Sequence, residues 1–179
     1  MDVQSAHLPT TRVGPVTLWT SERGLRHIEF GPLPRERNTD PPEGWSPQLR
    51  DAVEQVEAYL NGDRRSFDLQ LDFADHTTEF QRDVYRRLMA IEYGHVTSYG
   101  KIADELGKPD MARAVGQAVG ANPSPIVVPC HRVVGSDGRL IGFSGGLPVK
   151  VSLLKLEGVD ADGTSPGSRV HPEVIPLDL

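Results

Sequence analysis

The sequence predicts an α+β protein in two parts, with a second, helical part organised around one cysteine. Three observations carry this. Residues 12–73 change from strand-like to helix-like patterning and back. Residues 77–120 hold three helical patterns split by short turns. Ile126–Gly146 then places a β-branched run, a proline stop, a thiol and a glycine-rich loop within about twenty residues.

In chain order, Val13, Val16 and Leu18, then Leu25, Ile28 and Phe30, read as two short strands. Ser21-Glu22-Arg23-Gly24 supplies a turn between them, so they form a hairpin. Residues 31–47 are rich in proline and glycine and read as loop. Ser46-Pro47 is an N-cap followed by proline at the first helical position. Leu49, Val53, Val56 and Leu60 recur at helical spacing, and Asn61-Gly62 ends that helix. Phe67, Leu69, Leu71 and Phe73 alternate strictly, which predicts a half-buried strand.

A boundary is expected at 76/77. Thr77 or Thr78 caps the next helix, with Phe80, Val84, Leu88 and Ile91 on one face. Val96–Tyr99 is short and extended. Tyr99–Gly107 reads as a two-turn helix, and Asp110–Gly120 as a second one, capped by Asp110 and rich in Ala and Gly. Two short helices around a tight turn match a helix-turn-helix, although a helix that merely packs closely in a core has the same pattern. After the cysteine stretch, Val149, Leu153, Leu154 and Leu156 predict a last helix. Glu157 ends it, where a carboxylate opposes the helix dipole; this suggests a partner, a surface glutamate being the ordinary reading. Residues 160–179 hold Pro, Gly, Ser and Asp with few apolar anchors and are expected to form a flexible tail. The domains expected are therefore 1–76 and 77–159, with the tail at 160–179.

Bulk properties narrow the function. The chain has 179 residues, 37% hydrophobic and 25% charged, the balance of a globular protein. No apolar run reaches the ~18–20 residues of a membrane span, and the N-terminus lacks a basic region and an apolar core. A single cysteine excludes an internal disulfide and any multi-cysteine zinc site, and a lone thiol suits a reducing, cytoplasmic setting. The net charge of −6 argues against nucleic acid, but residues 78–157 carry 10 basic against 8 acidic side chains. That basic block contains the cysteine, so a phosphate-facing surface stays open beside a solvated face of mixed charge.

Cys130 itself has two readings. A free cysteine commonly behaves as a small buried hydrophobe, here in a hairpin. Against that, Pro129 puts the thiol at a strand end, His131 sits beside it, and Gly142, Gly145 and Gly146 allow close approach of a ligand. A reactive cysteine needs a base, because the thiolate is the nucleophile.

P-C-H-R-V-V at Pro129–Val134, preceded by N-P-S-P-I-V-V and followed by G-F-S-G-G, closely resembles the O6-alkylguanine-DNA alkyltransferase family. The resemblance runs from about Phe80 to Gly158, with S-Y-G, A-R-A-V-G, N-P, P-C-H-R-V, S-G-G and L-E-G in unbroken order. The N-terminal part matches loosely, through G-P-V-T-L and G-L-R-H-I-E-F. It implies a ribonuclease H-like first domain and a winged helix-turn-helix second domain. The activity implied is stoichiometric transfer of the alkyl group from O6-alkylguanine, and from O4-alkylthymine, in double-stranded DNA to a cysteine. It would act as a monomer, without cofactor or metal and away from membranes.

The same resemblance implies roles. Cys130 is the alkyl acceptor, His131 its base through a bound water, and Glu157 the carboxylate orienting His131. Asn122 is the hinge between the helix-turn-helix and the active-site stretch. Arg113 enters the duplex in place of the flipped base, and Tyr99 crowds the 3′ phosphate and donates to the guanine. Gly100, Lys108 and Ser136 fall on the DNA side. Ser144, Val133 through its backbone, Phe143 and Met111 fall in the base pocket. The second helix would enter the minor groove. Two departures stand out: Phe143 replaces a common tyrosine, keeping an apolar wall and losing a hydroxyl, and residues 1–77 have no cysteine for the zinc that some members carry.

Elementary chemistry agrees. Successive side chains of an extended segment point opposite ways, so His131 should reach the sulfur through water. Guanine O6 is inside the duplex, so the base must be flipped out. A thioether cannot be cleaved by its neighbours, so each molecule acts once. Two rivals are a Cys–His hydrolase, for which His95 is the only other histidine of the second block, and a winged-helix DNA-binding protein without chemistry.

Overall fold

The computed structural model describes residues 3–32, 42–75 and 77–171. The middle of the proline-rich loop (33–41), His76 and the terminal 172–179 lie outside them. The chain sorts into two compact units: residues 1–75 with Pro123–Val127, and residues 76–122 with 128–179. The short excursion Pro123–Val127 into the first unit has no counterpart in the sequence pattern.

The first unit is a three-stranded antiparallel sheet, β1 (Gln4–Leu8), β2 (Val16–Ser21) and β3 (Gly24–Phe30), in the order β1-β2-β3. The β2–β3 hairpin is the one expected, with a bulge between Trp19 and Thr20. β1 was not expected; it pairs Leu8 with Val16 and buries only Ala6 and Leu8. Helix α1 (Pro47–Asn61) covers the sheet with Leu49, Ala52, Val53, Val56 and Tyr59. Its start and stop are as read: Ser46 accepts from the Leu49 amide at 3.2 Å, Pro47 follows, and Gly62 closes it at φ 88°. Such a cap contributes about 1 kcal/mol.

The strand expected at Phe67–Phe73 does not form. Leu71 alone bridges Leu25, with the Leu25 amide donating to Gln70 at 2.9 Å and the Asp72 amide to Leu25 at 2.8 Å. Asp72 breaks the alternation because it turns inward, where its carboxylate accepts from Ser21 at 2.6 Å. Gly24 is required beside it: φ is 128°, and a Cβ would lie 2.2 Å from the Gln70 carbonyl oxygen.

The second unit begins with α2 (Glu79–Met89), closed by a reciprocal capping box between Thr78 and Gln81. Val84, Tyr85 and Leu88 are its buried face; Ile91, expected on that face, follows the helix end. Strand β4 (Thr97–Ser98) leads into α3 (Tyr99–Glu105), which Ser98 caps by accepting from the Lys101 amide at 3.1 Å. Pro109–Met111 is a single 3-10 turn before α4 (Ala112–Gly120). Asp110 therefore is no cap for α4; it sits inside that turn, and no side chain caps this helix. α3 and α4 form the helix-turn-helix, and a Cβ on Gly116 of α4 would meet the Tyr99 ring of α3 at 3.7 Å, an ordinary contact.

Beyond the cysteine, β5 (Val133–Val134) pairs parallel to β4, and α5 (Leu147–Leu156) ends at Glu157 with Gly158 at φ 85°. The α5 core position goes to Lys150 rather than to Val149. Residues 160–171 are not the flexible tail expected. Ala161 bridges Val170 and Arg139 bridges Arg169, and Val170 is buried in a cluster with Val134, Leu140, Val151, Leu154 and Val159. Val170, with Ala161 packed against the same cluster, anchors a stretch whose composition looked unanchored. Among the described residues, no helix is long and apolar enough to cross a membrane.

Candidate active site

Ile126-Val127-Val128 is a turn, not the strand that its β-branched residues predict. Ile126 has φ 78°, a conformation that β-branched residues rarely adopt. Cys130 consequently opens a 3-10 turn, Cys130–Arg132, that runs into β5, and does not end a strand. Its thiol is buried yet lines a cavity of about 650 Å³ with Tyr99, Arg113, Val119, Phe143 and Ser144.

Asn122, just past the end of α4, holds this turn. Its side-chain amide donates to the Val128 carbonyl at 2.8 Å and to Cys130 Sγ at 3.0 Å. Burial pushes the thiol pKa up to about 11; the Asn122 hydrogen bond and the charge of Lys150 pull the other way. At neutral pH the resting group is a thiol.

His131 turns into the core. Its Nε2 meets Glu157 Oε1 at 2.8 Å. Burial lowers the pKa of His131 below 6.5 and Glu157 opposes that, so the ring is neutral. Burial also works to raise the Glu157 pKa, but the hydrogen bond from His131 and the guanidinium of Arg132 outweigh it and bring it down to about 2. An ionised carboxylate only accepts, so Nε2 carries the ring proton and Nδ1 the lone pair. A neutral histidine in this tautomer can accept a proton at Nδ1.

Two members of the site were missed by sequence reasoning. Arg132 clamps Glu157, with Nε at 3.1 and 3.0 Å from the two oxygens and Nη2 at 2.8 Å from Oε1. The Gly94 amide donates to Oε2 at 3.1 Å. Lys150 donates from a buried Nζ to the Val133 carbonyl at 2.6 Å and to the Ile141 carbonyl at 3.0 Å, tying β5 to the loop that carries Phe143. Burial brings its pKa down to about 8. The available signals were the arginine next to His131 and a lysine at a helical position between Leu147 and Leu154.

The structure forms two hydrogen-bonded pairs, Asn122 with Cys130 and His131 with Glu157, and the 3-10 turn makes them neighbours along the chain. Tyr99, Arg113, Phe143 and Ser144 join Cys130 around the cavity. The Phe143 ring stands edge-on to His131 at 6.5 Å. Gly100 lies in the first turn of α3, Lys108 is exposed over the Phe80 ring, and Ser136 is exposed in the turn after β5. Met111 is exposed in the 3-10 turn before α4, outside the cavity lining. Val133 is buried, with its carbonyl engaged by Lys150. Among the described residues no three His, Cys, Asp or Glu side chains cluster as metal ligands.

Comparison with known proteins places this arrangement. The DNA binding domain of 6-O-methylguanine DNA methyltransferase matches residues 79–159, and the ribonuclease-like domain of the same protein matches residues 7–73. The methylated-DNA–protein-cysteine methyltransferase of Methanosarcina barkeri is 44% identical over 148 residues, covering 81% of this chain and 91% of the relative. That of Mycobacterium tuberculosis is 43% identical over 149 residues, covering 81% and 87%. Among solved structures, Mycobacterium tuberculosis OGT in complex with DNA superposes with a TM-score of 0.73 at 37% identity, over 92% of this chain and 96% of the other. With both domains matched and relatives of 43–44% identity over most of their length, the chain belongs to the 6-O-methylguanine DNA methyltransferase family.

Proposed function

We propose that the protein repairs alkylated double-stranded DNA by moving the alkyl group of O6-alkylguanine onto Cys130. The observation that carries this is the Cys130 thiol in the cavity wall, held by Asn122 and followed directly by the His131–Glu157 pair. The damaged base flips out of the helix to enter the cavity, Arg113 of α4 taking its place in the stack. Tyr99, whose hydroxyl burial and the nearby Cys130 hold protonated with a pKa of about 12, donates to the base.

The thiol proton passes through a bound water to Nδ1 of His131. The imidazolium so formed is stabilised by Glu157, itself kept ionised by Arg132. Sγ attacks the alkyl carbon; the S–C bond forms, the C–O6 bond breaks, and its electron pair returns to the guanine. The proton removed from sulfur ends on guanine N1, so thiol and O6-alkylguanine become thioether and guanine. Nothing cleaves the thioether, so each molecule reacts once. A reduced thiol acceptor suits the reducing cytoplasm.

Titration with a known amount of O6-methylguanine duplex tests the reading. At most one alkyl group is transferred per protein, mass spectrometry finds it on Cys130, and Cys130→Ser transfers none while still binding DNA. Repeated turnover would point to a hydrolase, and an unmodified Cys130 to a binding protein. A second test concerns flipping: Arg113→Ala slows reaction with duplex far more than with free O6-benzylguanine. Equal losses on both would remove Arg113 from the flipping step.

A further inference from the structure

The loop that walls the reactive cavity has a second cavity at its back. Leu140, Ile141, Phe143, Leu147 and Pro166 line this space of about 490 Å³. Ile141 and Phe143 line both cavities. The loop is fixed at its two ends, and at its tip the Phe143 carbonyl accepts from the Gly146 amide at 2.9 Å. Leu140 is buried, and Lys150 holds the Ile141 carbonyl at 3.0 Å. At the other end the Gly146 carbonyl accepts from the Lys150 amide at 3.1 Å, and Gly146 has φ 84°. Between these anchors a Cβ on Gly142 would meet nothing within 4 Å.

The far wall of the rear cavity belongs to residues 160–171. This segment is clasped to the turn after β5: the Leu140 amide donates to Ser168 at 2.7 Å and the Val170 amide to Gly138 at 3.0 Å. Asp162 fastens the clasp to itself by accepting from the Arg169 amide at 2.7 Å. With Val170 in the core, Pro166 and Gly167 are held against the back of the loop.

We propose that the rear cavity is reserve volume that sets the size of alkyl group the protein accepts. When the group on O6 is larger than methyl, the Phe143 ring moves toward Leu147 and Pro166, and the clasp limits how far it goes. A wall backed by close-packed atoms resists each added methylene, whereas a wall backed by apolar space yields. The proposal rests on the alkyl-transfer reading above.

The test compares rates of inactivation by two duplexes of one sequence, carrying O6-methylguanine or O6-benzylguanine. Leu147→Trp and Pro166→Trp fill the rear cavity from opposite sides. Each should leave the methyl rate within about threefold of the parent and lower the benzyl rate by about tenfold or more. Pro166→Gly should raise the benzyl-to-methyl ratio. Pro166 is exposed, so its variants keep the test decisive if Leu147→Trp does not fold. An unchanged ratio in the filled variants, or an equal fall on both substrates, overturns the proposal. Failure of the parent protein to transfer methyl at all would instead overturn the functional reading.

Discussion

Among the described residues two buried carboxylates lie beside arginines, and in the function proposed only one of them takes part in the chemistry. Asp72 in the first unit is 3% exposed and Glu157 in the second 6%. Asp72 meets Arg23 at 2.7 Å and Arg26 at 3.3 Å, but these side chains reach in from solvent, 47% and 34% exposed. Glu157 is met by Arg132, only 7% exposed, and by a fully buried His131. At Asp72 the remaining partner is the Ser21 hydroxyl, so the cluster pins the chain between β2 and residue 72. At Glu157 the remaining partner is a ring that can take up a proton next in sequence to a thiol. A buried ion pair is therefore not by itself a sign of function; the proton carrier attached to it is.

The largest expected effect comes from neutralising each carboxylate in turn. Glu157→Gln should slow alkyl transfer by about 100-fold or more, the range of a general base that has lost its partner. It should also destabilise the fold by about 3–5 kcal/mol, because Arg132 is left buried without its counter-charge. Asp72→Asn should lower the melting temperature and leave the transfer rate per folded molecule unchanged. Single-turnover kinetics beside thermal melts separates the two, and slowed transfer in Asp72→Asn would erase the distinction.

The pH profile sharpens it. In the proposed reaction His131 has to be neutral to take the proton, and burial holds its pKa below 6.5, so the transfer rate should fall only below pH 6.5. Arg132 lowers that pKa, so Arg132→Met should move the acid limb upward, and an unmoved limb would detach Arg132 from the base. Stability has its own window. The Glu157 pKa lies at about 2 against an ordinary 4.5, so its contribution is complete above pH 4.5 and lost as pH falls through about 2. Acid unfolding of Glu157→Gln should lack that component.

The smallest effect belongs to Arg23→Met. Arg23 is half-exposed and Arg26 remains, so the loss should be roughly 1 kcal/mol or less, with transfer unaffected. A loss as large as that from Glu157→Gln would make the two clusters energetically alike.

The same contrast marks what could be read in the sequence. α1 was legible from end to end because Ser46, Pro47, the Leu49–Leu60 spacing and Gly62 all agree. β1 was not, since Gln4, Ser5 and His7 leave only two apolar residues to show a period. The Phe67–Phe73 alternation was over-read: alternation predicts a face, but a strand also needs a neighbour, and only Leu71 finds one. In the site, Cys130, His131, Asn122 and Glu157 stood out by residue type and motif. Arg132 and Lys150 did not, because charged residues are ordinarily at the surface and pattern alone does not say which are drawn inside. Val170 hid for the opposite reason, as an isolated large apolar residue in a polar stretch.

Asn122 carries a consequence for the spent protein. One nitrogen with two protons serves both the Val128 carbonyl and the sulfur. Before reaction its two bonds agree, and the turn and the nucleophile are held as one piece. An alkylated sulfur is bulkier and a weaker acceptor, so the amide cannot follow it without slackening its hold on the carbonyl. The covalent state of one atom is thus recorded in the backbone beside it, at the end of the helix that would face the duplex. A used molecule should therefore differ from a fresh one in shape as well as in composition, which is what any process that must tell the two apart would need to read.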